Sequence, residues 1–391
     1  MKKLLCDVLI FGGGIIGASL ALRLSQSGIK VIIVDHKHPA PIKKKTTPYI
    51  RVAAINCASV EFLKKIKIWE KIPSNLCIPY HHLEAWEWPS AKITFHSLSV
   101  GIPKMGLIIE NNRLQLALWE NFINFKTITL CCPAVLVSMH YDSSSWRCLL
   151  DDGTIIISRL LIGADGIYSQ IRKKLGIGVI GWKYHQCCML LTIKTEKYQY
   201  GTIWQIFTPY GPIGFLPLYN HWGSLMWYNT PEYIQKLQQL PTEILEKEIG
   251  NNFKNQLGNV KLYNITVAPL IRQRAYSYIT PGGALVGDAA HSLHPLAGQG
   301  INLGLRDVAS LSHLLINSRV FDEYSSVSEI LISYQNNRKY DSALMQTSID
   351  WLYFVFHNNF WPLKIARNIA FMAIERSTYL KKKILLYALG I

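Results

Sequence analysis

The chain has 391 residues, 49% hydrophobic and 17% charged, enough for about two domains with a large core and too apolar for a disordered chain. Lys and Arg number 41 against 25 Asp and Glu, a formal balance of +16, but the lysines are scattered apart from short runs such as Lys43–Lys45 and Lys381–Lys383. Charge alone therefore does not separate an anionic partner from plain compositional drift, and nucleic acid has no support beyond it. No uninterrupted apolar run reaches about 18 residues, which excludes a spanning helix.

The opening MKKLLCDVLIFGGG has the two lysines and apolar run of a signal peptide, but Asp7 breaks the run and glycines follow where a cleavage site would lie. The eight cysteines form no CxxC pair and no Cys/His zinc spacing. Reduced thiols and a cytosolic setting are the expectation.

In chain order, residues 4–11 read as a buried strand, 15–27 as a helix and 30–35 as a second strand, a βαβ unit. Gly12, Gly14 and Gly17 match GxGxxG between the first strand and the helix, the context that motif requires. Gly12 suits the tight turn, Gly14 lets backbone amides approach a pyrophosphate, and Gly17 lets the helix pack on the strand. Asp35 ends the second strand, where a carboxylate meets an adenosine ribose. Residues 36–50 read as a loop and 51–72 as helical. Residues 106–125 give a strand end and a strong helix, and 127–162 alternate as strands with turns at YDSSS and DDG.

GADG at 163–166 follows a buried strand, and on its own Asp165 is an ordinary helix N-cap. From about 180 to 270, Trp, Tyr and Thr runs broken by Pro and Gly read as an antiparallel sheet. Residues 284–287 form a short strand, 299–316 a helix, and the pattern stays helical from 330 onward. Between them lies GDAAHSLHPLAGQGINLG, residues 287–304. Asp288 ends a strand, Pro295 fixes the chain, and Gly298, Gln299 and Gly300 bare backbone amides as a helix begins, an anion site without a basic side chain. His291 and His294 lack partners for a metal set, so no metal is expected.

These three segments, in this order and spacing, resemble the class A flavin monooxygenases, single-component aromatic hydroxylases with the p-hydroxybenzoate hydroxylase fold. GLIIENNRLQLALW at 106–119 and PLAGQGINLGLRDV narrow the resemblance to the ubiquinone-biosynthesis hydroxylases. PYHHLEAWEW (79–88), WQIFTPYGPIGFLPL (204–218) and the tail at 358–391 extend it to the whole chain. A flavin halogenase would need WxWxIP, which fails because Pro89, Ser90 and Ala91 follow Trp86–Glu87–Trp88.

The implied architecture is α/β. A discontinuous Rossmann-type FAD domain (1–75, 101–178, 271–335) carries an inserted β-rich substrate domain (76–100, 179–270) and C-terminal helices (336–391). The implied cofactor is FAD, with NAD(P)H a transient electron donor because there is no second GxGxxG. Gly12, Gly14 and Gly17 would hold the pyrophosphate and Asp35 the adenosine ribose, through water because the family usually has the longer Glu there. Arg51 would lie over the flavin, Gln115 at the FAD linker and Asp288 on the ribityl chain. Asp165 and Arg172 would serve FAD and the donor, and Arg113 is expected at the surface. Amides of Gly298–Asn302 (Gly298, Gln299, Gly300, Asn302) would stabilise negative charge at flavin N1 and the C2 oxygen.

The implied chemistry is oxygen activation at flavin C4a and transfer to the electron-rich ring of a polyprenylated demethoxyubiquinol-type substrate, which needs no strong base. Two alternatives stay open: a sister hydroxylation at another ring carbon, and a non-catalytic flavin-binding subunit of a biosynthetic complex. Trp204, Phe207, Pro217, Trp227 and Tyr228 are substrate-pocket candidates. The basic, apolar C-terminal helix is open to three readings: peripheral contact with the inner face of a membrane, packing on the protein, or binding other proteins of the pathway.

Overall fold

The structure, a computed structural model, describes residues 2–42, 47–293, 298–321 and 326–391. The strand Lys3–Phe11 lies between parallel neighbours Val31–Val34 and Ile155–Gly163, and the last four residues of each are apolar or Gly and buried. Gly283–Leu285 adds a further parallel strand beside Ile155–Gly163, and Ile128–Cys131 one beside Val31–Val34. Strands buried on both faces read as continuous apolar runs, which is why this layer was plain from the chain order.

The register of this sheet positions everything that follows. Phe11 pairs with Gly163, Gly163 with Leu285, and Phe11 with Val34. Four strands therefore end in one row, and the segments that begin at Gly12, Asp35, Ala164 and Val286 leave the sheet side by side. Carboxyl ends of parallel strands are where such sheets bind ligands.

The helices are α1 (Ile15–Ser25), α2 (Cys57–Lys65), α3 (Asn111–Asn121), α4 (Gln170–Lys174), α5 (Pro231–Gln239), α6 (Thr242–Leu257), α7 (Gly300–Asn317), α8 (Val327–His357), α9 (Trp361–Arg376) and α10 (Thr378–Leu389). The stretch 51–72, expected to be helical, starts instead as the strand Val52–Asn56. That strand pairs antiparallel with Gly106–Glu110, so partner pairing overrides the local helical spacing.

A second sheet of eight strands runs in the order 291–292, 260–275, 179–195, 222–229, 213–217, 202–206, 82–86, 93–96. It is antiparallel except where Thr202–Ile206 pairs parallel with His82–Trp86. The expected all-strand region contains α5 and α6, which bury Ile234, Leu237, Leu245, Ile249, Phe253 and Leu257 against one face of the sheet. The other face packs toward α7, α8, α9 and α10 through Leu303, Met345, Phe371 and Leu385. The expected junctions at 270/271 and 335/336 fall inside the strand Val260–Ala275 and inside α8, so the chain passes between layers without a break in secondary structure. No helix among the described residues is long and apolar enough to cross a membrane.

Candidate dinucleotide site

Gly12 takes φ +103°, and a side chain there would collide with the Ala164 carbonyl. The first and second motifs therefore touch through a position only glycine can fill. The Ala164 amide donates to Phe11 O at 2.8 Å, and the Val286 amide to Gly163 O at 3.0 Å. Arg172, 4% exposed, ties the second motif to the third: Nη1 donates to Ala289 O at 2.9 Å and Nη2 to Ile167 O at 3.0 Å. Burial lowers its pKa, with Asp165 opposing. Asp165 itself accepts from the Gln170 and Ile171 amides at 2.7 and 3.1 Å and from the Ser169 hydroxyl, so it caps α4.

Two helices point uncapped starts at the row of strand ends. Gly14 begins α1 and Gln299 begins α7, neither with a side-chain cap among the described residues. A methyl group added at Gly14, Gly298 or Gly300 would meet no heavy atom within 4 Å among those residues. Bare, open amides at two helix N-termini fit an anionic, flat ligand: the amides supply donors, the dipoles favour negative charge, and nothing stands in the way. Pro295 and His294 lie outside the described residues. Asn302 is 1% exposed and fastens the start of α7 to the neighbouring strand, Oδ1 accepting from the Asn56 amide at 3.0 Å and Nδ2 donating to Ala54 O at 2.9 Å.

Asp35 accepts from the Gly13 amide at 2.6 Å and the Lys37 amide at 3.2 Å, and pairs with His36 at 2.9 Å. Gln115 Nε2 donates to Gly13 O at 3.0 Å. Trp119, one turn later on α3, donates to the same oxygen at 2.6 Å. Sequence reasoning passed over Trp119, although it stands four residues from Gln115 on one helix face. Arg113, expected at the surface, is instead 16% exposed and bonded through Nε to buried Glu110 Oε1 at 2.6 Å. Glu110 also accepts from the Tyr49 amide at 2.7 Å.

Asp288 is exposed just past the end of the strand Gly283–Leu285. The protein atoms crowding it raise its pKa, with His291 and Arg51 pulling it down and Asp307 pushing it up. Arg51 is likewise exposed. His291, 2% exposed, pairs with Asp307 at 2.6 Å, and Asp307 also pairs with Arg338 Nε at 2.7 Å. Arg338 continues to Asp341 at 2.6 Å.

The aromatic candidates divide by face. Trp204 and Trp227 lie in the core under α5 and α6, Trp204 stacked on Phe215. They are on the far side of the sheet from α7, because side chains alternate along a strand and these two share the outer parity. Pro217 is buried and has the same parity as Phe215. Phe207 and Tyr228 are on the inner side. Phe207 stacks on Phe356, with ring centroids 4.0 Å apart, and Tyr228 clusters with Tyr184, Cys188, Leu270 and Tyr353.

Residues 5–341 match the family model described as FAD binding domain. The 3-demethoxyubiquinol 3-hydroxylase of Escherichia coli is 42% identical over 385 residues, covering 98% of each chain. The chain belongs to the FAD-dependent hydroxylases of ubiquinone biosynthesis. Another similar member of these hydroxylases, ubiquinone hydroxylase UbiL of Rhodospirillum rubrum, is 31% identical over 98% of this chain and 89% of its own. Among solved structures, p-nitrophenol 4-monooxygenase PnpA from Pseudomonas putida superposes with a TM-score of 0.82 at 16% identity, over 100% of this chain and 99% of that one. PqsL from Pseudomonas aeruginosa gives 0.79 at 19% identity, over 94% and 100%. These two likenesses establish the fold of this hydroxylase.

Proposed function

We propose that this hydroxylase adds an oxygen atom from O2 to the ring of a polyprenylated demethoxyubiquinol-type quinol, with NAD(P)H as transient electron donor. The observation that carries the reading is the 42% identity, nearly end to end, to a 3-demethoxyubiquinol 3-hydroxylase. The convergence of three backbone-rich segments on one row of strand ends supports it. FAD supplies the oxygen activation when bound.

The residues then divide the work. Gly12, Gly14 and Gly17 with the start of α1 would hold the pyrophosphate, Asp35 the adenosine ribose and Asp288 the ribityl chain. Gln115 would position the linker through its hold on Gly13, and Arg51 would cover the ring. Amides of Gly298, Gln299 and Gly300 would stabilise negative charge on the flavin, a helix-dipole effect of about 0.3–2 kcal/mol. Asn302 acts by fixing where α7 starts. Asp165 acts by capping α4, and Arg172 by tying the second motif to the third. A quinol is already electron-rich, so the chain's task is to orient the ring and exclude water rather than to supply a strong base. Phe207 and Tyr228, on the inner face of the second sheet, are the substrate-side residues of this proposal. The FAD segment, sheet-rich segment and helical tail are its working parts.

Complementation tests the reading. The gene is expressed in an Escherichia coli strain lacking its 3-demethoxyubiquinol 3-hydroxylase, and quinones are read by mass spectrometry. Restored ubiquinone, with loss of the species that lacks one methoxy oxygen, is the expected result. Failure there, with rescue of a strain blocked at another ring carbon, overturns the ring position and leaves the family membership intact.

A further inference from the structure

We propose that α9, with the end of α8 and the start of α10, forms a docking surface for an anionic lipid bilayer. α9 is apolar on both sides: Phe371 and Ile374 pack inward against the core, and a second apolar stripe faces out. Its inner side also carries Arg367 and Asn368, 4% and 1% exposed. Both bind the buried Glu87: Arg367 through Nε at 2.7 Å and through Nη2, and Asn368 through Nδ2 at 2.6 Å. Its outer side repeats apolar residues at helical spacing, with Trp361, Ile365, Ile369 and Met372 exposed by 68, 37, 58 and 42%. Ala366, Ala370 and Ala373 widen the stripe. A helix facing water is polar on its outer side, and an apolar stripe turned outward is what an interfacial helix presents.

The stripe continues beyond α9. Arg367 Nη1 donates to Val355 O at 2.6 Å and Asn358 O at 2.7 Å, which fastens the end of α8 beside α9 and satisfies carbonyls its last turn leaves free. Trp351 and Phe354 on that end, and Phe360 at the start of α9, are all more than half exposed. Phe354 also lines an open recess of about 270 Å³ with Trp182, Tyr184 and Tyr353, so the apolar face adjoins an aromatic-walled hollow.

Charge selects the occupant. Residues 361–391 hold six basic side chains and one acidic one, Glu375; with Arg367 buried on Glu87 and Lys381 paired with Glu375, the exposed charges are those of Arg376, Lys382 and Lys383. Glu375 is already engaged, accepting from the Thr94 amide at 2.8 Å and Lys381 Nζ at 2.9 Å. Arg376 lies one turn beyond Met372, and exposed Lys382 and Lys383 flank exposed Leu380 and Ile384 on α10. Apolar side chains with tryptophan among them, bordered by lysine and arginine, match a bilayer whose hydrocarbon lies beneath anionic headgroups.

The test is flotation of the full chain loaded with FAD. One vesicle set is phosphatidylcholine mixed with phosphatidylglycerol, the other phosphatidylcholine alone. The protein is expected to float with the mixed vesicles and more weakly with the neutral ones. Trp361→Ser with Ile369→Ser lowers partition at least about tenfold. Lys382→Gln and Lys383→Gln lower it roughly fivefold per lysine, on anionic vesicles only. Retained flavin absorbance shows that the variants are folded.

The proposal is overturned if the unaltered protein floats with neither set, or if the Trp361→Ser, Ile369→Ser variant floats like it. A dimer in vesicle-free solution that Trp361→Ser breaks also overturns it, since the face is then a protein contact. Turnover of a short-chain, water-soluble quinol is measured alongside. Flotation without turnover counts against the proposed function, and turnover without flotation counts against the docking surface alone.

Discussion

Asp307, fully buried on α7, accepts from the Gly287 amide at 2.9 Å and so fastens the third motif to the helix whose start faces the site. The same carboxylate pairs with His291 and Arg338. Burial pushes its pKa up, but His291 and Arg338 outweigh burial and hold it below the ordinary carboxylate range. Removing one partner of a buried pair costs about 3–5 kcal/mol, because the other charge is left without compensation. Asp307→Asn should fall at the low end, since Arg338 keeps Asp341. Urea denaturation at neutral pH reads that loss. The pH dependence follows from the lowered value: the stabilisation is present above the unfolded carboxylate pKa of about 3.9 and is lost as pH falls through the folded value. The Asn variant should therefore show a flatter acid limb. An acid limb as steep as that of the unaltered protein would remove Asp307 as its cause.

The glycines of the first motif separate fold from ligand. Gly12→Ala meets both a positive φ and the Ala164 carbonyl, so it should destabilise the protein whether or not FAD is present. Gly14 has φ −63° and open space around it. Gly14→Ala should leave the FAD-free protein within about 0.5 kcal/mol of the original, yet weaken FAD binding about tenfold or more, because the methyl stands where the pyrophosphate would lie. Flavin fluorescence titration and thermal unfolding of the apoprotein measure the two effects. Unchanged FAD affinity in Gly14→Ala would place the pyrophosphate elsewhere.

The parallel sheet and its glycine turn were legible because buried strands and GxGxxG are short-range patterns: Val8–Phe11, Val31–Val34 and Gly12–Gly17 are each read within a few residues. What was not legible depends on long-range pairing. Val52–Asn56 is a strand because Gly106–Glu110 lies beside it, and Glu87 is buried because Arg367, 280 residues later, reaches it. α5 and α6 were hidden in a window dominated by strand aromatics, although Pro231 and Thr242 open helical runs there. The side of the sheet on which an aromatic falls depends on register, which composition does not carry.

That register gives a prediction about the pocket. Trp204 packs between Trp86, Phe215 and Phe253 under the helices. Trp204→Ala should cost about 3–5 kcal/mol of stability, with KM unchanged for whatever fraction remains folded. Phe207→Ala, on the inner side, should raise KM for a prenylated quinol by more than it lowers kcat, since the ring binds substrate and transition state alike. Steady-state kinetics with matched denaturation curves separate the two. A KM effect confined to Trp204→Ala would reverse the assignment of faces.

Glu87 and Arg367 make the attachment of α9 a separable property. The carboxylate takes both Nε and Nη2 of Arg367 as well as Asn368 Nδ2, and the three side chains are all less than 5% exposed. Glu87→Gln keeps the shape and removes the charge, leaving a buried guanidinium without its counterion at a cost of about 3–5 kcal/mol. Because the outer side of α9 is already in water, that cost should appear as local opening rather than global unfolding. Amide hydrogen exchange should rise across 361–376, while the strands Lys3–Phe11 and Ile155–Gly163 keep their protection and FAD stays bound. Arg367→Met removes the charge from the other side. Together with Glu87→Gln it should recover part of the loss, since no buried charge then lacks a partner. If the two substitutions instead add without recovery, the pair does not hold α9 in place.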